Sequence, residues 1–136
     1  MNVQKIKKLR VEVRKRNANV FWLPNSERSG QPDTQYLSGF AGSDSHLVVT
    51  KNKAYLLTDG RYLLGAKRVA VGYEILDVAK MRPSELLKKI LPRGNGRRVL
   101  IDGSVTHFSI VEKMKEKIQR VKIVNADGIL MELRRI

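Results

Sequence analysis

The chain has 136 residues and no cysteine, 42% of its residues are hydrophobic, and its formal net charge at pH 7 is +14. The lack of cysteine excludes a disulfide framework and a thiolate metal site, and it favours a reducing compartment such as the cytoplasm. No apolar run approaches the ~20 residues that span a bilayer, and the charged N-terminus lacks the apolar core of a secretory signal. Length and composition predict one globular domain.

The N-terminal residues predict a helix followed by a strand. Within residues 3–16, apolar side chains recur at spacings of three and four and form one stripe. Asn17 is a plausible stop because asparagine tolerates the left-handed conformation. We expect a strand over residues 18–23. The polar residues 24–35, which include a glycine and two prolines, predict a long surface loop.

A glycine-rich stretch and a hairpin follow. Gly39 and Gly42 bracket Phe40, and we call residues 39–42 the glycine segment. Glycine lets the backbone turn there where a side chain would clash. Residues 46–50 and 54–58 are apolar runs joined by a short connection that contains asparagine, which is typical of a β-hairpin.

A helix is predicted directly after the hairpin. Asp59 stands where a carboxylate would accept hydrogen bonds from the first free N–H groups of that helix, so we predict that it is the N-cap. The helix is expected over residues 61–71, with Leu63, Leu64 and Ala70 facing inward.

The remaining residues alternate between strands and helices. One helix begins at Pro83, which suits a first turn. Another runs through residue 119, capped by Ser104 or Thr106, with an inward stripe that starts at Phe108. Strands are expected over residues 73–78, 97–102 and 121–125, and a short apolar-basic tail over 129–136. Because strands separated by helices imply parallel crossovers and the hairpin adds an antiparallel pair, the pattern predicts an α/β fold with a mixed sheet and helices on both faces.

The residues by themselves indicate no catalytic or metal site. His46 and His107 are the two histidines, and neither stands at a Glu-x-x-His spacing. A Ser-His-Asp arrangement of Ser45, His46 and Asp44 fails because adjacent side chains on an extended segment point to opposite faces. The glycine segment is followed by a strand and no lysine, which excludes a phosphate-binding P-loop.

The ordered pair YLSGFAGS and TDGRY, separated by a hairpin, resembles the N-terminal domain of the creatinase/prolidase/aminopeptidase P family. The resemblance covers the whole chain and implies a single domain of that type over residues 1–136, with a sheet of about six strands. The residues that carry the motif are Tyr36, Gly39, Phe40, Gly42, Asp59, Gly60, Arg61 and Tyr62.

The resemblance also implies a role. In this family the N-terminal domain is non-catalytic, mediates dimer contacts and directs the segments beside its glycine motif towards the active site of the neighbouring subunit. Gln35, Asp44, Ser45 and His46 flank the motif and are therefore the candidates for substrate contact. The resemblance implies a metal-dependent Xaa-Pro peptidase of the aminopeptidase P or prolidase type; creatine hydrolysis is the alternative chemistry within the family.

The catalytic half of such a protein is expected outside this chain. Residues 133–136 resemble the start of the linker that leads into the C-terminal catalytic domain. That domain is expected to hold two divalent ions, Mn, Co or Zn. The chain itself is expected to need no cofactor and to contribute no metal ligand.

A second class of function follows from the charge. A net charge of +14 is compatible with a basic binding module for nucleic acid or for an acidic or peptide partner. Basic residues are dense only in residues 5–16 and 93–98 and otherwise lie scattered over the chain. The scatter favours a solvated basic exterior, and nucleic acid is the less favoured partner.

Overall fold

A computed structural model describes residues 2–25, 32–42 and 44–135. Helices and strands alternate along most of the chain. In chain order they are α1 (Asn2–Lys15), β1 (Val20–Asn25), α2 (Pro32–Ser38), β2 (Ser45–Thr50), β3 (Ala54–Thr58), a 3-10 turn (Gly60–Tyr62), α3 (Leu63–Val69), β4 (Glu74–Asp77), α4 (Pro83–Ile90), β5 (Arg97–Ile101), α5 (Phe108–Lys117), β6 (Val121–Asn125) and α6 (Ile129–Arg134).

The six strands form one sheet in the order β4-β3-β2-β1-β5-β6. Strand β2 pairs antiparallel with both of its neighbours, and every other pair is parallel. The carboxyl ends of the other five strands therefore lie at one edge of the sheet, which we call the carboxyl edge. The predicted mixed sheet and hairpin are confirmed.

Helices cover both faces of this sheet, as predicted. On one face, Leu9 of α1, Leu37 of α2 and Leu130 of α6 belong to the same buried cluster. On the other, Leu87 of α4 and Val111 of α5 belong to a second cluster. Alternate residues of the strands point into the two clusters, since successive side chains on a strand face opposite sides.

The predicted loop over residues 24–35 is wrong at both ends. Strand β1 continues through Pro24 and Asn25, and α2 begins at Pro32; residues 26–31 lie outside the described residues. Proline is tolerated in β1 because β5 pairs only with the first two residues of that strand. The missing N–H of Pro24 therefore interrupts no ladder on that side.

Two helix faces also differ from the prediction. Leu64 is 67% exposed, and Ala66 and Ala70 are the buried residues of that segment. The first turn is a 3-10 turn, so α3 starts only at Leu63 and presents the small alanines to the sheet. Phe108 is 77% exposed because α5 begins there, one turn before Val111 enters the core.

Helix α5 also lacks the predicted side-chain cap. Its N-cap is His107, whose side chain makes no capping hydrogen bond. Neither Ser104 nor Thr106 occupies that position, and the Ser104 hydroxyl instead donates to the carboxylate of Asp102.

The predicted C-terminal tail is helix α6, which Asp102 ties to the end of β5. Ile129, Leu130 and Leu133 are buried in the first cluster. The Asp102 side chain is buried: its Oδ1 accepts from the Gly128 N–H at 2.9 Å and its Oδ2 from the Leu130 N–H at 3.1 Å. Asp102 thus satisfies free N–H groups of the first turn from a distant part of the chain.

We expect Asp102→Ala to lower the free energy of unfolding by about 3 kcal/mol, because it leaves buried N–H groups without an acceptor. The measurement is urea denaturation followed by circular dichroism. Asp127→Ala, which removes the same charge from an exposed position in the neighbouring turn, is the control and should change stability little. Equal midpoints for the two variants would contradict the capping role.

Candidate functional site

The two halves of the sequence motif meet at the carboxyl edge. Gly39 has a φ of +81°, and its Cα approaches α3 so closely that a Cβ would lie 3.3 Å from the Val69 carbonyl oxygen. Phe40 is buried, and its ring lies against Gly42 where no side chain could fit. The same ring packs edge-to-face on Tyr62, with 6.2 Å between centroids. The glycine segment is therefore anchored to the Asp-Gly-Arg-Tyr half of the motif.

Asp59 caps the 3-10 turn, as predicted. Its Oδ1 accepts from the Arg61 backbone N–H at 2.8 Å and from the Arg61 Nε at 3.1 Å. These bonds, the backbone one first, lower the pKa of the Asp59 carboxyl. The Arg61 guanidinium also lies 5.2 Å from the centroid of the Tyr62 ring.

Polar side chains fix the backbone on either side of Phe40. The Asn25 amide donates to the Gly42 carbonyl and to the Ser45 hydroxyl, both at 3.3 Å. The Ser38 hydroxyl donates to the Thr34 carbonyl and accepts from the Phe40 N–H. These bonds connect the end of β1, the end of α2 and the start of β2.

The four candidate contact residues do not form one exposed rim. Gln35 is exposed on α2, and Asp44 is partly exposed with a φ of +50°. Ser45 has no exposed surface, because it pairs with Asn25 and Thr58 in the middle of the sheet. Ser45 is therefore not part of an exposed surface beside the glycine segment.

His46 is separated from Gln35 by the sheet. It is partly buried and lies beside Trp22, a member of the second core cluster, whereas α2 packs on the first. Ser45 and His46 thus point to opposite faces, as the sequence argument against a Ser-His-Asp site predicts. Of the four candidates, Gln35 and Asp44 are therefore the two that are neither buried in the sheet nor on its opposite face.

Trp22 holds the neutral His46 ring in one tautomer. The indole Nε1–H donates to His46 Nδ1 at 3.1 Å, and the two rings are parallel within 2°. Burial lowers the pKa of His46 to about 4. The imidazole is therefore neutral near pH 7, and because Nδ1 accepts the indole hydrogen, Nε2 carries the ring proton.

Sequence reasoning missed a cluster on α2 that holds the last helix. Asp33 accepts from Arg134 at 2.7 Å, and burial raises the pKa of Asp33 while Arg134 opposes that rise. The Tyr36 ring lies between Arg134, at 4.8 Å, and Lys5 Nζ, at 4.3 Å. The signal for α2 was Pro32 with an acidic residue after it, which is typical of a first helical turn.

Four cations in the two dense basic segments donate hydrogen bonds to backbone carbonyls. Arg97 donates to the carbonyls of Pro92 and Gln119, and Arg98 to those of Asn17 and Arg16. In α1, Lys5 donates to the Tyr36 carbonyl and Arg10 to the Thr50 carbonyl. These four side chains have structural partners, so much of the charge in the dense segments serves to hold the fold together.

The two divalent ions that the resemblance implies do not fit the described part of this chain. Within residues 2–25, 32–42 and 44–135, no group of three or more His, Cys, Asp or Glu side chains is arranged to hold a metal ion. None of the helices in these ranges is long and apolar enough to cross a membrane.

The lowered pKa of His46 predicts a pH-dependent stability. The unfolded chain takes up the proton near pH 6.5 and the folded chain only near pH 4, so stability is full above pH 6.5 and falls between these values. The total loss from this residue is up to about 3 kcal/mol.

We expect the loss of stability at low pH to be absent in His46→Gln, whose side-chain oxygen can still accept from Trp22. Urea denaturation from pH 7 to pH 4 should show that the free energy of unfolding of the variant rises relative to that of the parent protein as the pH falls. His107→Gln, at an exposed histidine, is the control and should track the parent. Parallel pH profiles for His46→Gln and the parent would contradict the assignment.

Comparison with known proteins places these features in a family. The model for "Creatinase/Prolidase N-terminal domain" matches residues 5–136. A "Probable Xaa-Pro aminopeptidase P" from Pyrenophora teres f. teres is 30% identical over 126 residues, which are 85% of this chain and 19% of that protein. The chain therefore spans about a fifth of the length of that relative.

Solved structures share the fold. An Xaa-Pro dipeptidase from Bacillus anthracis matches with a TM-score of 0.80 and 23% identity, over 98% of this chain and 36% of the other. The X-prolyl aminopeptidase from Caenorhabditis elegans, described as a cytosolic enzyme with a di-nuclear active site, matches with a TM-score of 0.78 and 22% identity, over 97% and 25%. The family match, together with the joined halves of the motif, supports one conclusion: the chain belongs to the creatinase/prolidase N-terminal domain family.

Proposed function

We propose that this chain is the N-terminal, non-catalytic domain of a metal-dependent Xaa-Pro peptidase, in which it serves dimer assembly and substrate gating. Family membership and the Xaa-Pro aminopeptidase relatives support the proposal. The single observation that carries the gating role is the position of Gln35 and Asp44. These two accessible side chains flank a glycine segment that Phe40 anchors firmly in the core.

The chemistry of the two side chains suits peptide recognition. The Gln35 amide can donate to a peptide carbonyl and accept from a peptide N–H. The Asp44 carboxylate carries a negative charge that complements the ammonium group at the start of an Xaa-Pro peptide. Both act by positioning the peptide, and the hydrolytic step belongs to the catalytic domain.

In this proposal the two divalent ions, Mn, Co or Zn, are bound by a C-terminal catalytic domain that the present chain does not include. When bound there, they supply an activated water for hydrolysis. The chain would act in a homodimer by presenting the glycine segment to the neighbouring subunit. A cytoplasmic location fits the lack of cysteine, and the Caenorhabditis elegans neighbour is described as cytosolic.

Residues 1–136 alone are expected to hydrolyse no Xaa-Pro peptide with manganese, cobalt or zinc. The same residues joined to the C-terminal catalytic domain of this proposal should be active, and a chelator should abolish that activity. The assay compares both proteins on one Xaa-Pro substrate. Chelator-sensitive turnover by residues 1–136 at the rate of the longer protein would overturn the non-catalytic assignment.

We expect Gln35→Ala in the longer protein to lower kcat/KM for an Xaa-Pro peptide about tenfold, the usual effect of losing one hydrogen bond to the substrate. Asp44→Asn should have a comparable effect. Gln4→Ala, which replaces an exposed glutamine on α1, is the matched control. If Gln35→Ala and Asp44→Asn both keep the parent kcat/KM, the gating role of these two residues is refuted.

A further inference from the structure

A second concave site lies on the face of the sheet away from the glycine segment. It is a cavity of about 230 Å³ between the start of α4, the side of α5 and the sheet, and we call it the α4–α5 pocket. Three cations line it, namely Arg82, Lys113 and Lys117. Among the described residues, none of the three has an ion pair or a side-chain hydrogen bond. This separates them from Arg97 and Arg98, which hold backbone carbonyls.

The floor of the pocket carries no charge. Trp22 and Met114 are buried core residues that border it, and Ile110 is partly buried beside them. His46 also lines the pocket and is neutral near pH 7, because burial lowers its pKa to about 4. A ligand here would therefore meet an apolar and aromatic surface below and positive charge around the rim.

The first turn of α4 adds groups that bind anions. Ser84, the second residue of this eight-residue helix, is only 7% exposed and lines the pocket. Its hydroxyl has no hydrogen-bond partner among the described residues. Pro83 has no N–H, so the free backbone donors of this turn are those of Ser84 and Glu85, and the helix dipole favours an anion beside them. The Glu85 carboxylate turns back and accepts from the Arg82 N–H at 3.3 Å. The largely buried Ser84 side chain thus offers a hydroxyl without a protein partner at the wall of the pocket, beside these N–H groups.

We propose that the α4–α5 pocket binds a small phosphate monoester whose apolar body lies on His46, Ile110 and Met114, with Trp22 directly behind His46. Three cations, a hydroxyl and a helix N-terminus exceed what one carboxylate can satisfy, and they match the charge of about −2 and the three oxygens of a phosphate monoester. The concave shape suits a small molecule, since duplex nucleic acid is bound through many phosphates along an extended surface. This role is separate from the gating of a peptidase.

The chain provides its own reporter, because Trp22 is its sole tryptophan. The probe is phenyl phosphate, titrated into the 136-residue chain while the fluorescence and the indole N–H resonance of Trp22 are followed. We expect a saturable change at millimolar concentration or below. Benzoate, with the same ring and one charge, should bind about tenfold more weakly, and benzyl alcohol should leave the signal unchanged.

Matched variants separate a built site from general charge. Lys117→Gln is expected to weaken phenyl phosphate binding about tenfold, and Ser84→Ala should weaken it as well. Lys115→Gln removes the same charge from the same helix, but Lys115 pairs with Glu112 at 3.6 Å and lies outside the pocket, so it should bind as the parent does. Circular dichroism melts establish that each variant is folded.

Three results would overturn the proposal. One is an absence of saturable change in the Trp22 signals of the parent protein. Another is an equal loss of affinity in Lys117→Gln and Lys115→Gln, which would indicate diffuse electrostatic attraction. The third is a DNA duplex that shifts the indole resonance and displaces phenyl phosphate at lower concentration, which would make the pocket part of a nucleic-acid surface.

Discussion

The side-chain amide of Asn25 holds the place where the chain reverses direction in the middle of the sheet. Strand β2 is the sole described strand that opposes the others, so the backbone must turn back between β1 and β2 at the carboxyl edge. Asn25 bridges the Gly42 carbonyl and the Ser45 hydroxyl at that turn. Since a buried polar group without a partner is costly, this bridge favours one conformation of the glycine segment.

The anchored glycine segment explains how the backbone beside Gln35 and Asp44 can be rigid although these side chains are accessible. Phe40 contributes a buried ring that packs on Tyr62, and Gly39 permits the close approach to α3. Gln35 and Asp44 then project from backbone that the core has already ordered. A side chain on such a frame loses less entropy when it binds a peptide than one on a loose loop.

The two faces of the sheet carry different features: helix-to-helix contacts on one and a pocket on the other. On one face α2 ties together α1 and α6 through Tyr36 and Asp33, and the glycine segment leaves from its end. Helix α6 is also held from β5 by Asp102, so the last described element is fixed at both its start and its end. The other face carries the Trp22–His46 pair and the pocket beside α4.

The cationic side chains fall into two groups according to their hydrogen-bond and ion-pair partners. Some cations, such as Arg98, close the ends of helices by donating to carbonyls, and their charge serves stability. Others, such as Lys117, line a cavity and have no ion pair among the described residues. Net charge alone cannot separate these groups, because the difference lies in contacts between residues far apart in the chain.

The sequence by itself determined the mixed sheet, the hairpin, the left-handed stop at Asn17 and the cap at Asp59. The hairpin, the cap and the stop at Asn17, whose φ is +53°, depend on residues within a few positions of one another. The mixed sheet follows from the order of strands and helices along the chain. Tertiary structure decided that Leu64 and Phe108 are exposed. It also decided that Ser45, at the start of β2, is buried and that His46 points to the opposite face of the sheet. Such outcomes depend on which elements pack together, and the apolar pattern of a short segment is the same whether or not a neighbouring element covers it.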